Sequence, residues 1–122
     1  MKILVVEDEP ASMKLARLVL SSDGHDVTHA EAVDIALEEI ARSQPDVILL
    51  DLELPNINGL ELARTLKRDP ARKQIVIVAV TSYPERFPQD EAMAAGCDAY
   101  IVKPINTRKL TEQVTEAVEK LK

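Results

Sequence analysis

Tryptophan is absent from this 122-residue sequence, phenylalanine occurs once and tyrosine twice. Aromatics make up 2% of the chain against 46% hydrophobic residues, so its core must be aliphatic. The single cysteine, Cys97, excludes an internal disulfide framework and fits a reducing compartment. Beside Gly96 it reads as a small buried residue. No apolar run approaches the roughly 18 residues of a membrane span, the longest strand-like run being "IVIVAV". The opening "MKILVVEDE" puts acids after its apolar stretch and offers no small-residue cleavage site, so it does not read as a signal peptide. A cytoplasmic protein without membrane contact is the expectation. Positive charge is in deficit, with 15 Lys and Arg against 21 Asp and Glu. The net charge of −6 and pI near 4.9 disfavour nucleic acid, which needs clustered cations to displace counterions. They leave room for a basic protein partner, or for a cation held in a carboxylate cluster. Repeats, linkers and low-complexity segments are also missing, and the length suits one domain.

What is present is alternation. "KILVV" (2–6), "DVTHA" (26–30), "DVILL" (46–50), "IVIVAV" (75–80) and "AYIV" (99–102) are rich in Val and Ile and read as strands. Three of them are apolar without alternation, as expected where helices cover both faces of a parallel sheet. Helical patterns fill the gaps. Residues 11–21 are expected to turn Leu15, Leu18 and Val19 inward, and residues 59–68 to turn Leu62, Ala63 and Leu66 inward. Val33, Ala36, Leu37, Ile40 and Ala41 form one apolar stripe; Leu110, Val114, Ala117, Val118 and Leu121 form another, capped near Asn106 or Thr107. A short helix is expected around 88–95, ended by Gly96. Five β-α units in this order predict a doubly wound α/β fold of flavodoxin-like type, strand order 2-1-3-4-5, with right-handed crossovers. Ligands in such sheets sit at the carboxyl ends of the strands where the chain reverses, here between the first and third strands.

Those ends carry an unusual set. The first strand runs into Glu7 and Asp8, the third into Asp51, the fourth into Thr81 and Ser82, and the fifth into Lys103 and Pro104. Two carboxylates about 4 Å apart repel by about 4 kcal/mol at an effective dielectric near 20. A bound cation or shared protons must offset that, and hard oxygen ligands beside a phosphate suit Mg2+, with Mn2+ as its substitute. With Lys103 and the Thr81 hydroxyl alongside, the set predicts a phosphoryl site in which Asp51 is the carboxylate nucleophile. Each residue alone has an ordinary reading: a solvated loop acid, a turn cap in "LPNING" with Pro55 and Gly59 as plain loop residues, a strand-end threonine, a surface lysine. Only the joint placement at four strand ends is distinctive.

At these residues the chain resembles response-regulator receiver domains of the CheY-like superfamily. The likeness rests on "ILVVEDE", "DVILLDLELPNINGLEL", "VAVTS" and "GCDAYIVKPI" and covers essentially the whole chain, 1–122, with no output domain expected. The last segment is most similar to single-domain receivers of the DivK type. The resemblance implies that Asp51 is the phosphorylated aspartate, Asp8 a direct metal ligand, and Glu7 the acid holding metal-bound water. It implies that Glu53 offers a backbone carbonyl to the metal, that Thr81 and Tyr100 are the switch pair, and that Lys103 pairs with phosphate. Ser82 stands where a small residue is expected, and the Lys103–Pro104 bond is cis in the family. Glu53 and Tyr83, two residues after Asp51 and Thr81, border the attacking water in the family and are expected to tune phosphoryl lifetime. The implied function is that of a stand-alone two-component response regulator. It would take its phosphoryl group from a histidine kinase or histidine phosphotransfer protein and bind a downstream target protein, without turning over an independent substrate.

The loop "TSYPERFPQD" departs from the usual pattern: Pro84 and Pro88 should keep the next helix from starting before Pro88, and Phe87 should pack inward. Leu54 and Leu60 are expected to be exposed near the site. His25 and His29 lack a completing ligand set and are set aside as a metal site. Two enzyme classes share part of the constellation. A haloacid-dehalogenase-type phosphatase wants an aspartate where Glu53 stands. A Toprim-like nucleic-acid enzyme would not explain Thr81 and Lys103. A receiver that binds partners without phosphorylation leaves the complete acidic set unexplained.

Overall fold

The structure, a computed structural model, describes residues 1–54 and 58–120. Among them, strands β1 (Lys2–Val6), β2 (Asp26–Ala30), β3 (Val47–Asp51), β4 (Val76–Thr81) and β5 (Ala99–Val102) alternate with helices α1 (Pro10–Ser22), α2 (Val33–Arg42), α3 (Gly59–Arg68), α4 (Gln89–Ala94) and α5 (Leu110–Glu119). All pairings are parallel, in the order β2-β1-β3-β4-β5. This is the doubly wound, flavodoxin-like sheet that the alternation predicts. No helix among the described residues is long and apolar enough to cross a membrane.

The unalternating strands are explained by two cores. Ile3 and Val5 of β1 join Val47, Leu49, Val78 and Val80 under α1 and α5. Leu4 and Val6 point the other way, with Ile48, Leu50, Ile77 and Ala79, under α2, α3 and α4. Every residue of β3 and β4 is buried, so both faces of the central strands must be apolar. Each fully buried Leu, Ile or Val contributes roughly 1.5–3 kcal/mol relative to an exposed one. The site described below therefore stands on the most heavily packed part of the molecule. Phe87 and Cys97 are buried in the second of these cores, as expected.

Four expectations are corrected. On α1 the buried residues are Ala16 and Leu20, with Val19 packed beside them, while Leu15 and Leu18 are 41% and 56% exposed. Leu15 and Leu18 share their helical face with Lys14, whose charge cannot be buried unpaired, and the small Ala16 lets the opposite face lie close to the sheet. Leu54 and Leu60 are buried in the core, not exposed. Helix α5 begins at Leu110, later than its expected cap. Asn106 instead closes a preceding turn: its carbonyl accepts from the N–H groups of Lys109 and Leu110 at 3.0 Å, and its Oδ1 from Arg108 at 3.0 Å. Ala41 of the α2 stripe is exposed, and Pro55 and Leu121 lie outside the described residues. Helix α4 starts after Pro88 and ends before Gly96, whose φ of 107° is a left-handed value that favours glycine.

Candidate functional site

The register places the expected residues at one edge. Val6 pairs with Leu50, Asp51 with Val80, and Thr81 with Val102, so the chain emerges from four adjacent strands side by side. Glu7, Asp51 and Thr81 are all buried there, unusual for two acids and a hydroxyl. The Glu7 N–H donates to Ala30 O at 3.0 Å and the Lys103 N–H to Thr81 O at 2.8 Å, which continues the ladder one step past the strands. After Glu7 and Asp8 the chain turns into α1. Glu9 caps that helix, its carboxylate accepting from the N–H groups of Ala11 (3.2 Å) and Ser12 (2.7 Å). Glutamate is not a usual N-cap residue, which hid this contact from sequence reading.

The structure brings Glu7, Asp8, Asp51 and Lys103 together. One carboxylate oxygen from each acid lies within 4.8 Å of the others. Lys103 Nζ donates to Glu7 Oε1 at 2.6 Å and stands 3.6 Å from Asp51 Oδ2. Asp51 Oδ1 accepts the Glu53 N–H at 3.0 Å, so the Glu53 backbone lies against the cluster. Burial pushes the Asp51 carboxyl up to about 6, and the neighbouring Glu7 carboxylate adds to this, while the Glu53 N–H and Lys103 oppose it. Burial alone would lower Lys103, but Glu7, Asp51 and Glu53 outweigh it and hold the ammonium above its ordinary value. Three carboxylates facing one ammonium leave an excess of negative charge in a poorly hydrated crevice.

A hard divalent cation suits that excess, because the donors are all oxygen and at least one acid, Asp8, is exposed to solvent from which a hydrated ion can enter. Glu7, Asp8 and Asp51 are the residues that fit such an ion. The two histidines are not part of this cluster.

Across the gap between β3 and β4 stands a second group. Thr81 Oγ1 accepts from the Tyr83 N–H at 2.9 Å, leaving its own hydrogen for an acceptor. Ser82 is exposed, but its N–H donates to Glu53 Oε1 at 2.6 Å. Sequence reading placed the backbone of Glu53 at the site and missed this reach of its side chain, since only tertiary structure brings residues 53 and 82 together. The aromatic residues stand farther out. The Tyr100 hydroxyl donates to Phe87 O, and Tyr83 is 46% exposed with Arg86 5.6 Å from its ring centre. The Lys103–Pro104 bond is cis. Gly59 opens α3, as the helix expected over 59–68 requires, and it is buried. A Cβ there would lie 2.8 Å from Asp51 O, so glycine is what lets α3 rest against the strand that carries Asp51.

The fold and the sequence have clear counterparts among known proteins. Residues 3–115 match the family model for the response regulator receiver domain. The chain is 34% identical over 116 residues to the polar-differentiation response regulator DivK of Brucella anthropi, covering 92% of this chain and 91% of that one. A CheY-like response regulator receiver domain protein from Methanospirillum hungatei superposes with a TM-score of 0.88 at 29% identity, covering 98% of this chain and 94% of that one. NtrX from Brucella abortus matches with a TM-score of 0.89 at 27% identity, covering 98% of this chain but 27% of the longer NtrX chain. The chain belongs to the response regulator receiver domain family of two-component signalling proteins.

Proposed function

We propose that Asp51 accepts a phosphoryl group, from a histidine kinase or a histidine phosphotransfer protein, and that the altered surface then binds a downstream target protein. The observation that carries this reading is the joint placement of a buried carboxylate, Asp51, with Lys103 Nζ 3.6 Å from it and the Thr81 hydroxyl at the neighbouring strand end. An Asp51 oxygen attacks the phosphorus of the donor's phosphoimidazole, the P–N bond breaks, and the histidine leaves with the bonding pair. Lys103 moves its donation from Glu7 to a phosphoryl oxygen, and Thr81 donates its free hydrogen to another. Asp8, Asp51 and the Glu53 carbonyl would hold Mg2+ directly and Glu7 through water. The bound ion supplies charge neutralisation for incoming phosphoryl oxygens. Ser82 leaves space beside Thr81, and Tyr100 responds with Thr81 as the switch pair. Glu53 and Tyr83 set how long the acyl phosphate lasts. The domain promotes its own phosphorylation and hydrolysis but turns over no separate substrate.

Intact-protein mass after incubation with acetyl phosphate tests this reading. The expected result is one added phosphoryl group that requires both Mg2+ and Asp51 and is lost in Asp51→Asn. No adduct, together with no Mg2+-dependent binding of beryllofluoride, would overturn it.

A further inference from the structure

Two donors at the strand ends beside Asp51 are already held by carboxylates of the chain itself. Lys103 is taken by Glu7 at 2.6 Å. The first amide beyond Thr81, that of Ser82, is taken by Glu53 Oε1 at 2.6 Å, a short, charge-assisted contact. Glu53 leaves β3 two residues after Asp51, is anchored by its own N–H on Asp51 Oδ1 at 3.0 Å, and spans the gap to the end of β4. Its second oxygen, Oε2, is buried without a hydrogen-bond partner among the described residues.

We infer that Glu53 is a built-in competitor for the phosphoryl group: in the resting protein its carboxylate occupies the Ser82 N–H, and it must swing out before a phosphoryl oxygen can take that donor. This rests on the reading of Asp51 as the phospho-acceptor. The physical case is one of like chemistry. A backbone N–H donates equally well to a carboxylate and to a phosphoryl oxygen, both being anionic acceptors. Glu53 therefore mimics, from within, part of what phosphorylation would supply. The side chain is also placed to leave. A buried carboxylate oxygen without a donor is costly, and rotation toward water restores its hydration. Loading the site is then an exchange of one anion for another. Glu53 is a positioning residue here: it acts on the phosphoryl site by withholding Ser82. A purely electrostatic role, in which Glu53 only adds negative charge, makes a different prediction, because charge does not depend on reach.

Beryllofluoride with Mg2+ serves as the phosphoryl analogue, titrated calorimetrically into wild type, Glu53→Ala and Glu53→Asp. Exchange of the Ser82 amide is followed by NMR in the ligand-free proteins. Glu53→Asp keeps the charge but is one methylene too short to reach Ser82. The expected result is that both variants bind about tenfold more tightly than wild type, and that Ser82 amide exchange is faster in both. Glu53→Asp binding as wild type does, or Ser82 exchange unchanged in Glu53→Ala, would overturn the inference. No beryllofluoride binding by any of the three folded proteins would instead remove the phospho-acceptor reading beneath it, and that outcome is told apart by the Ser82 exchange data.

Discussion

Replacing Gly59 with alanine puts one methyl group between α3 and the strand end that bears Asp51. The added Cβ would stand 2.8 Å from Asp51 O and 3.0 Å from Leu52 Cα, and both neighbours are backbone. Carbon–carbon contacts relax only at about 3.5–4.0 Å, so the helix or the strand must yield by roughly half an ångström. Neither can rotate away as a side chain would, and the Gly59 N–H is tied to Leu52 O at 3.4 Å. Overpacking of this kind costs about 1–3 kcal/mol. Alanine's better helix propensity returns at most about 1 kcal/mol, and less at a first helical position. The net loss is about 1–2 kcal/mol, a fall in Tm of roughly 4–8 °C for a domain of this size. Thermal unfolding by circular dichroism measures it. Because the displaced backbone carries Asp51, the rate of phosphorylation by acetyl phosphate should fall several-fold as well. An unchanged or raised Tm with an unchanged rate would refute the steric argument.

Gly96→Ala should cost about 1–3 kcal/mol, because φ is 107° and the new Cβ meets the Lys67 stem. That stem carries an ammonium that donates to Lys73 O, Ile75 O and Asp98 Oδ2, joining α3 to β4 and β5. Gly24→Ala, with φ 86° but nothing within 4 Å, should cost clearly less, and equal losses in urea unfolding would contradict this account. Burial pushes the Cys97 thiol from 9.0 up to about 12, so folding favours its neutral form. That contribution is fully present below pH 9 and is lost as pH rises from there toward 12. Between pH 8 and pH 10 wild type should lose about 1 kcal/mol more stability than Cys97→Ala, and parallel pH profiles would show that Cys97 is not the titrating group.

How much was legible in the sequence depended on whether local chemistry or long-range packing made the decision. Asp51 stands out because a continuous apolar run ends on it, and Lys103–Pro104 because a cation and an imino acid follow the last strand. The spans of the three inner strands were readable within a residue, since two-sided burial demands unbroken apolar runs. The facing of α1 was not readable. It has two apolar stripes, and the one with more leucine loses to the one with Ala16, a choice made by the sheet it lies on. Leu54 and Leu60 looked exposed because they flank polar turn residues, yet both are buried in the core. The approach of Gly59 to Asp51 and the grip of Glu53 on Ser82 join residues that share no local pattern, so neither leaves a trace in spacing.

The way Glu7 and Asp8 are held has a consequence for the ion they would receive. Glu7 is pinned through its backbone to Ala30, and Glu9, immediately after the pair, is pinned to the first turn of α1. The backbone on either side of the two acids is thus set in place by strand pairing and helix capping, contacts that need no cation. In small metal-dependent domains the ion organises the chain, so binding and folding are a single event. If the proposed function holds, the two are separate here: the strand pairing at Glu7 and the cap at Glu9 need no cation, and a divalent ion would enter as an exchangeable reactant.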